Sequence, residues 1–380
     1  MSASHTRARR HQRVILLSAS ALIALLLAEL AGQAAFRLGA GHWLWRDSSF
    51  STNTVIPYSI RVSDRREYAL RPNYRDPARH LTIDGHGFRV TVPPPRDGER
   101  LVVNLGDSVP FGAGCCTDED TYSSYLAQRF GQRGVRLGVV NAGVPSYNLR
   151  QSLDRFRFDV LSDHDWKRVA AVTLVAANDV SLVTYYGRAY TPDLTWGRDR
   201  QFISRRPEWQ QLASAYYLGN LYDRLVRATQ SETLLPADAD PENEMLRHVG
   251  AMLRSELAVF QQHSVPVVLL SINPFYYQTQ HQDRNQSLRV LKEMYGGGLP
   301  PQEQEWSSLI NRMNDMLRQV SRDLPNVSFL DTRPAFDASD RDGLFADYIH
   351  FTPPGSQLTA DLLLEHLSRT IKVRELASGQ

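Results

Sequence analysis

Apolar runs too continuous to meet water on either side constrain this chain more than any other feature. Val172-Thr173-Leu174-Val175 shows no apolar–polar alternation, which is the pattern of a strand covered on both faces. Comparable strand signals lie at 101–106, 136–141, 169–176, 265–272 and 327–331. Helical patterns separate them at 120–131, 149–161, 244–263, 304–322 and 354–371. In 244–263, Met245, Val249, Met252, Leu253, Leu257 and Phe260 recur at helical spacing, so these methionines read as core filler. Strands buried on both faces, alternating with helices, predict an α/β architecture with a parallel sheet and helical crossovers.

The first strand signal ends on Gly106-Asp107-Ser108. An apolar strand that stops on Gly-Asp-Ser delivers a serine to a turn at the sheet edge. A serine hydroxyl is a weak nucleophile and needs a base, and the base needs an orienter. Asp347-Tyr348-Ile349-His350, near the C-terminus, supplies both. Ser108, His350 and Asp347 form the kind of set used in acyl transfer. The glycines at 106, 112 and 114 do not match a dinucleotide-binding turn, and no P-loop lysine follows.

Two further blocks lie between these, Asn141-Ala142-Gly143 and Ala177-Asn178-Asp179. With Gly106-Asp107-Ser108 and Asp347-Tyr348-Ile349-His350 they make four ordered blocks carrying Ser, Gly, Asn and His. In them the chain resembles the SGNH hydrolase superfamily, the GDSL-type esterases, over roughly residues 98 to 370. The flanks Val144-Pro145-Ser146-Tyr147 and Thr352-Pro353-Pro354-Gly355 look like those of bacterial membrane-associated members. Ala176 takes a place that is often glycine in the family, and Val109 stands where the family name implies leucine. The resemblance implies a three-layer flavodoxin-like fold with a central parallel sheet. It also implies catalytic Ser108, Asp347 and His350, and an oxyanion hole made by the backbone N–H groups of Ser108 and Gly143 and the amide of Asn178. No cofactor is implied. Asp107 and Asp179 read as supporting or helix-capping residues.

At the N-terminus, Arg7, Arg9, Arg10 and Arg13 precede an apolar or small run from Val14 to Ala28, just before Glu29. Basic residues before an apolar stretch predict export with the N-terminus left in the cytoplasm. Residues 1–13 read as a cytoplasmic basic tail and 14–36 as a transmembrane signal-anchor. Cleavage near Gly32-Gln33-Ala34 is the alternative. Either way the catalytic part is expected outside the cytoplasmic membrane, in the periplasm, with that membrane as a partner.

Residues 37–97 read as an N-terminal strap. In it Thr82 to Val90 forms a β-hairpin whose turn uses Gly85 and Gly87. Residues 98–375 are the expected hydrolase domain, with irregular insertions at 180–243 and 273–303. Both insertions leave strand ends, where open α/β sheets place ligands. They are rich in aromatics, including Tyr185, Tyr186, Tyr190, Trp196, Trp209, Tyr217, Phe275 and Tyr295, which can pack the loops or stack on sugar rings.

Net charge is +2, and Lys167, Lys292 and Lys372 are the only lysines. The arginines are interleaved with acids, which argues against a nucleic-acid stripe. Adjacent Cys115 and Cys116 are poorly placed to bridge each other and too few for zinc. No His/Asp/Glu cluster has ligand spacing, so no metal is expected. The functional expectation is a serine carboxylester hydrolase outside the membrane, removing O-acyl (acetyl) groups from a saccharide or similar small ester. An envelope-polysaccharide O-acetyltransferase would use the same serine. A silent envelope scaffold would not need all four blocks.

Overall fold

A computed structural model describes residues 2–40, 43–44, 58–62, 64–113, 116–195, 212–215, 217–218, 235–236, 238–274, 303–346 and 349–371. The chain forms two compact units. One comprises residues 1–57 and 199–233, the other 58–198 and 234–380. In the first, helix α1 runs over Ser2–Ala40.

The second unit opens with two small antiparallel pairs. β1 (Ser59–Arg61) pairs β2 (Tyr68–Leu70), and β3 (Arg75–Asp76) pairs β4 (Leu81–Thr82). The segment after β4 turns at Asp84–Phe88, returns through an Ile83–Arg89 bridge, and Arg89 also bridges Asn141. These pieces are tied down by arginines. Arg89 is 1% exposed. It donates through Nη1 to the carbonyls of Phe111 and Gly112, through Nη2 to that of Cys116, and through Nε to Asp118. Arg155 likewise donates to the Gly87 carbonyl and to Asp159. Each carbonyl met this way is a buried acceptor that would otherwise cost about 1–3 kcal/mol.

The main sheet then follows. β5 (Arg100–Gly106) leads into the single turn α2 (Ser108–Phe111) and into α3 (Tyr122–Gln132). β6 (Leu137–Gly143) leads to α4 (Leu149–Arg155), which continues as a π-turn at Phe156–Val160. β7 (Val169–Val175) leads to α5 (Asn178–Tyr186), and α6 (Pro241–Gln262) to β8 (Val267–Leu270). α7 (Glu303–Asp323) precedes β9 (Val327–Leu330). The short α8 (Arg333–Asp337) and α9 (Arg341–Leu344) lead to α10 (Pro353–Thr370).

All five main strands are parallel, in the order β6-β5-β7-β8-β9. β5, β6 and β7 are apolar and buried on both faces apart from the exposed first residue of β5. Each fully buried valine or leucine there contributes about 1.5–3 kcal/mol. α3 packs on α10, while α4, α6 and α7 form a separate packed set, as the three-layer expectation requires.

The order reverses between β5 and β7, since β6 lies outside β5. In an open α/β sheet this switch point opens the ligand crevice at the carboxyl ends of the strands. The 180–243 insertion is less irregular than expected. α5 runs through Tyr186, and α6 begins at Pro241. Asn178-Asp179 reads locally as a turn, but the segment after it buries Val180, Leu182 and Val183, which draws it into a helix. Residues 275–302 lie outside the described residues, as do Trp196 and Trp209.

Candidate active site

Three of the four sequence blocks lie together at the switch point: one spans the end of β5 and the turn after it, one forms the end of β6, and one lies on the turn after β7. Ser108 is the first residue of α2, directly after β5. His350 lies on the loop before α10, and its Nε2 is 2.7 Å from Ser108 Oγ. That is hydrogen-bond distance for a nucleophile and its base. No described residue accepts the backbone N–H of Ser108. A backbone N–H at the first position of a helical turn has no partner within the helix.

Asp107 organises this corner. It caps α2, its Oδ1 accepting from the Val109 N–H at 2.9 Å. Its Oδ2 accepts from the Ala177 N–H at 2.7 Å and from Asn178 Nδ2 at 3.1 Å. One carboxylate therefore joins the turn after β5 to the turn after β7 and aims the Asn178 amide. Burial pushes the Asp107 carboxyl up, against the lowering effect of these donors and of the nearby His350 ring. Asp179 does parallel work one residue on. Its Oδ2 accepts from the Leu149 N–H at the start of α4, and burial raises its carboxyl to about 6, against that bond and Arg150.

Gly143 ends β6 directly under α2. A Cβ there would lie 2.3 Å from the backbone nitrogen of Phe111, so only glycine lets the strand approach. Its N–H donates to Asn141 Oδ1 at 3.1 Å. Just beyond it, Val144 to Tyr147 closes a turn, with the Tyr147 N–H donating to the Val144 carbonyl. Ser146 sits in that turn at φ +69°, a left-handed conformation that costs a non-glycine residue about 1–2 kcal/mol. No described residue accepts its N–H. Pro145 before it pointed to a turn, but nothing in the residue types marked Ser146 as left-handed.

The His350 loop is held differently. Phe345 and Phe351 bridge its two ends, and the Ala346 N–H donates to the His350 carbonyl at 2.8 Å. The rings of Phe336, Phe345 and Phe351 pack mutually at 5.1–5.4 Å. Asp347 lies outside the described residues. Cys116 is buried, its Sγ 3.4 Å from the Phe351 carbonyl. Tyr190 is 3% exposed and belongs to the core rather than to an open face. Beside the site is a cavity of about 10 Å³, lined in part by Val109, Ala177, Leu270, Ile349 and Phe351, large enough for one water-sized group.

A parallel sheet of this order, with a serine and a histidine paired at its switch point, marks an α/β protein of the serine-hydrolase class. Residues 105–358 match the model of the GDSL-like lipase/acylhydrolase family; the chain belongs to that family and is an ester hydrolase of the SGNH type. No curated protein matches it. Similar solved structures include the acetyl xylan esterase AlAXEase, at 16% identity over 70% of this chain and 99% of that one, with a TM-score of 0.42. A catalytic mutant of the acetylxylan esterase Axe2 from Geobacillus stearothermophilus matches at 16%, over 71% and 94% of the two chains, with a TM-score of 0.41. The lipase/acylhydrolase from Enterococcus faecalis matches at 16%, over 70% and 95%, with a TM-score of 0.40.

Proposed function

We propose that the chain is a serine carboxylester hydrolase, held to the cytoplasmic membrane by α1 with its catalytic unit on the outer side. Its substrates are O-acetyl groups on a saccharide or a similar small ester. The observation that carries the mechanism is the 2.7 Å contact between Ser108 Oγ and His350 Nε2 at the switch point. Ser108 Oγ attacks the ester carbonyl, and His350 takes the serine proton. The tetrahedral intermediate collapses as His350 gives that proton to the leaving alcohol, leaving an acyl-enzyme. Water, activated by the same imidazole, then releases the acid. Asp347, three residues before His350, holds the ring in the required tautomer.

The oxyanion meets the Ser108 N–H and the Asn178 amide, which Asp107 aims. A single such donor is typically worth about 10²–10³ in rate. Gly143 supplies the third donor in the family pattern. Its N–H donates to Asn141 Oδ1 in this structure. The small cavity beside the site supports a short acyl group such as acetyl. The aromatic-rich sequence of the insertions supports a saccharide as the leaving alcohol.

For the membrane, Leu16–Leu38 is a 23-residue stretch of mean hydropathy 1.7, long enough to cross a bilayer. Arg7 to Arg13 before it favour a cytoplasmic N-terminus. A serine-reactive fluorophosphonate tests the chemistry. The intact protein is expected to take the label and to lose ester hydrolysis with it, while Ser108→Ala takes none. Equal labelling of both proteins would overturn the assignment. A reporter fused after Gln380 is expected to be active only outside the cytoplasm.

A further inference from the structure

Among the residues of α1 whose burial is described, those not exposed are Glu29, Gly32, Gln33 and Phe36, spaced i, i+3, i+4 and i+7, one stripe of a helix. Elsewhere the helix presents bare leucines, including Leu22, Leu25, Leu26 and Leu30 at 56–65% exposure. The stripe meets a short piece of the 199–233 insertion, which belongs to the same compact unit. Gly32 lies so close to this piece that a Cβ would fall 2.6 Å from the Ala213 Cβ and 3.6 Å from the Tyr217 ring. Small residues permitting such approach are how helices pack within lipid. Ala213 and Leu44 are fully buried, and the half-buried Phe36 packs against them.

Glu29 completes the contact. Its Oε1 accepts from Gln33 Nε2 and from the Ala213 N–H, and its Oε2 from the N–H and hydroxyl of Ser214, both at 3.0 Å. Glu29 lies eight residues before Arg37, about 12 Å along the axis. In a spanning helix that places a carboxylate inside the hydrocarbon, where polar groups persist only when paired. The backbone N–H groups of Ala213 and Ser214 need acceptors at the same depth. Each side meets the other's demand.

The far side of the piece is apolar and uncovered. Leu212 is 54% exposed and Leu218 65%. The sequence from Leu212 to Tyr222 holds no charge and three tyrosines, as interface-seated segments do. At eleven residues it is well short of the roughly 20 needed to span.

We propose that residues 212–218 are a second membrane-inserted element, latched to α1 through Glu29 and Gly32, with Leu212 and Leu218 facing the acyl chains of the outer leaflet. This rests on the reading of α1 as a membrane span. The occupant is lipid because the exposed leucines of the piece continue those of α1 on the same unit.

The test uses the full chain with Cys115 and Cys116 changed to serine, after confirming that ester hydrolysis persists, in phosphatidylcholine–phosphatidylglycerol vesicles. A solvent-sensitive fluorophore is placed on Leu218→Cys or, as reference, on Leu25→Cys. Spin-labelled acyl chains are expected to quench both severalfold more than aqueous iodide does. Adding Glu29→Ala or Gly32→Leu is expected to make position 218 iodide-accessible while position 25 stays lipid-quenched. Lipid quenching at 25 with free iodide access at 218 in the parent would overturn the latch and leave the span intact. Protection of 218 from both quenchers, lost on dilution into excess vesicles, would overturn it in favour of a second copy as occupant. Iodide access at both positions would remove the span itself, and the latch with it.

Discussion

The two sides of the Ser108–His350 contact are built from different forces. The serine side is a polar shelf. Asp107 satisfies three donors from two turns, and Arg89 gathers the carbonyls of Phe111, Gly112 and Cys116 just beyond α2. The histidine side is a loop pinned by a phenylalanine cluster and a few backbone bonds. Polar bonds between buried, fixed partners define direction, so they suit groups that, in the proposed mechanism, aim donors at an oxyanion. Apolar packing defines position but tolerates rotation, which suits the proposed base, whose ring would serve the serine, the leaving group and then water.

Substitutions on the two sides can break or sharpen this contrast. The largest effect is expected from His350→Ala, which removes the base. kcat should fall by at least about 10³-fold, with thermal unfolding little changed because the loop is held by its phenylalanines. A residual activity near that of the intact protein would refute the assignment. Phe351→Ala and Asp107→Ala form the direct comparison. Phe351→Ala is expected to cost about 3–5 kcal/mol in denaturant unfolding. Asp107→Ala removes a cap and strands the Ala177 N–H, for roughly 2–4 kcal/mol together. It should also lower kcat by about 10²-fold, because Asn178 loses its aim. If the folded fraction of both variants turned over ester equally well, the shelf would be structural only.

Asp179 gives a pH signature. Burial raises its carboxyl to about 6, from an unfolded value near 4. Between those values the folded state binds more protons than the unfolded one, so this group's contribution to stability falls as pH rises through that window, then levels. Asp179→Asn can still accept from Leu149 but does not titrate. Its unfolding free energy, compared with that of the parent from pH 4 to 7, should rise relative to the parent and plateau above about pH 6. A constant difference would show that Asp179 is not perturbed. The smallest effect is expected from Ser146→Gly. Relief of the φ +69° backbone should stabilise by about 1 kcal/mol, offset in part by the glycine's greater freedom when unfolded, with kcat/KM retained.

The parallel sheet was legible in the sequence because strands buried on both faces leave uninterrupted apolar runs, and three of the four short blocks fall at or beside the ends of such runs. Less was legible where side chains act on distant backbone. Nothing local to Arg89 says that its guanidinium will reach three carbonyls 22 to 27 residues away. The bond from the Gly143 N–H to Asn141 Oδ1 likewise depends on a side-chain rotamer two residues back, which composition and periodicity do not encode. The helix after Asn178 was hidden because its start carries turn-forming residues, and tertiary burial of Val180 and Val183 decided it.

The claim on which the rest depends is that Ser108 carries the acyl group during turnover. Mass spectrometry of protein acid-quenched in the steady state with p-nitrophenyl acetate tests this directly. The expected result is an acetyl group on the peptide containing Ser108 in the intact protein, absent from Ser108→Ala and diminished in His350→Ala, which lacks the base for acylation. Continued hydrolysis by Ser108→Ala, with no acetyl group on that peptide in any variant, would contradict the account.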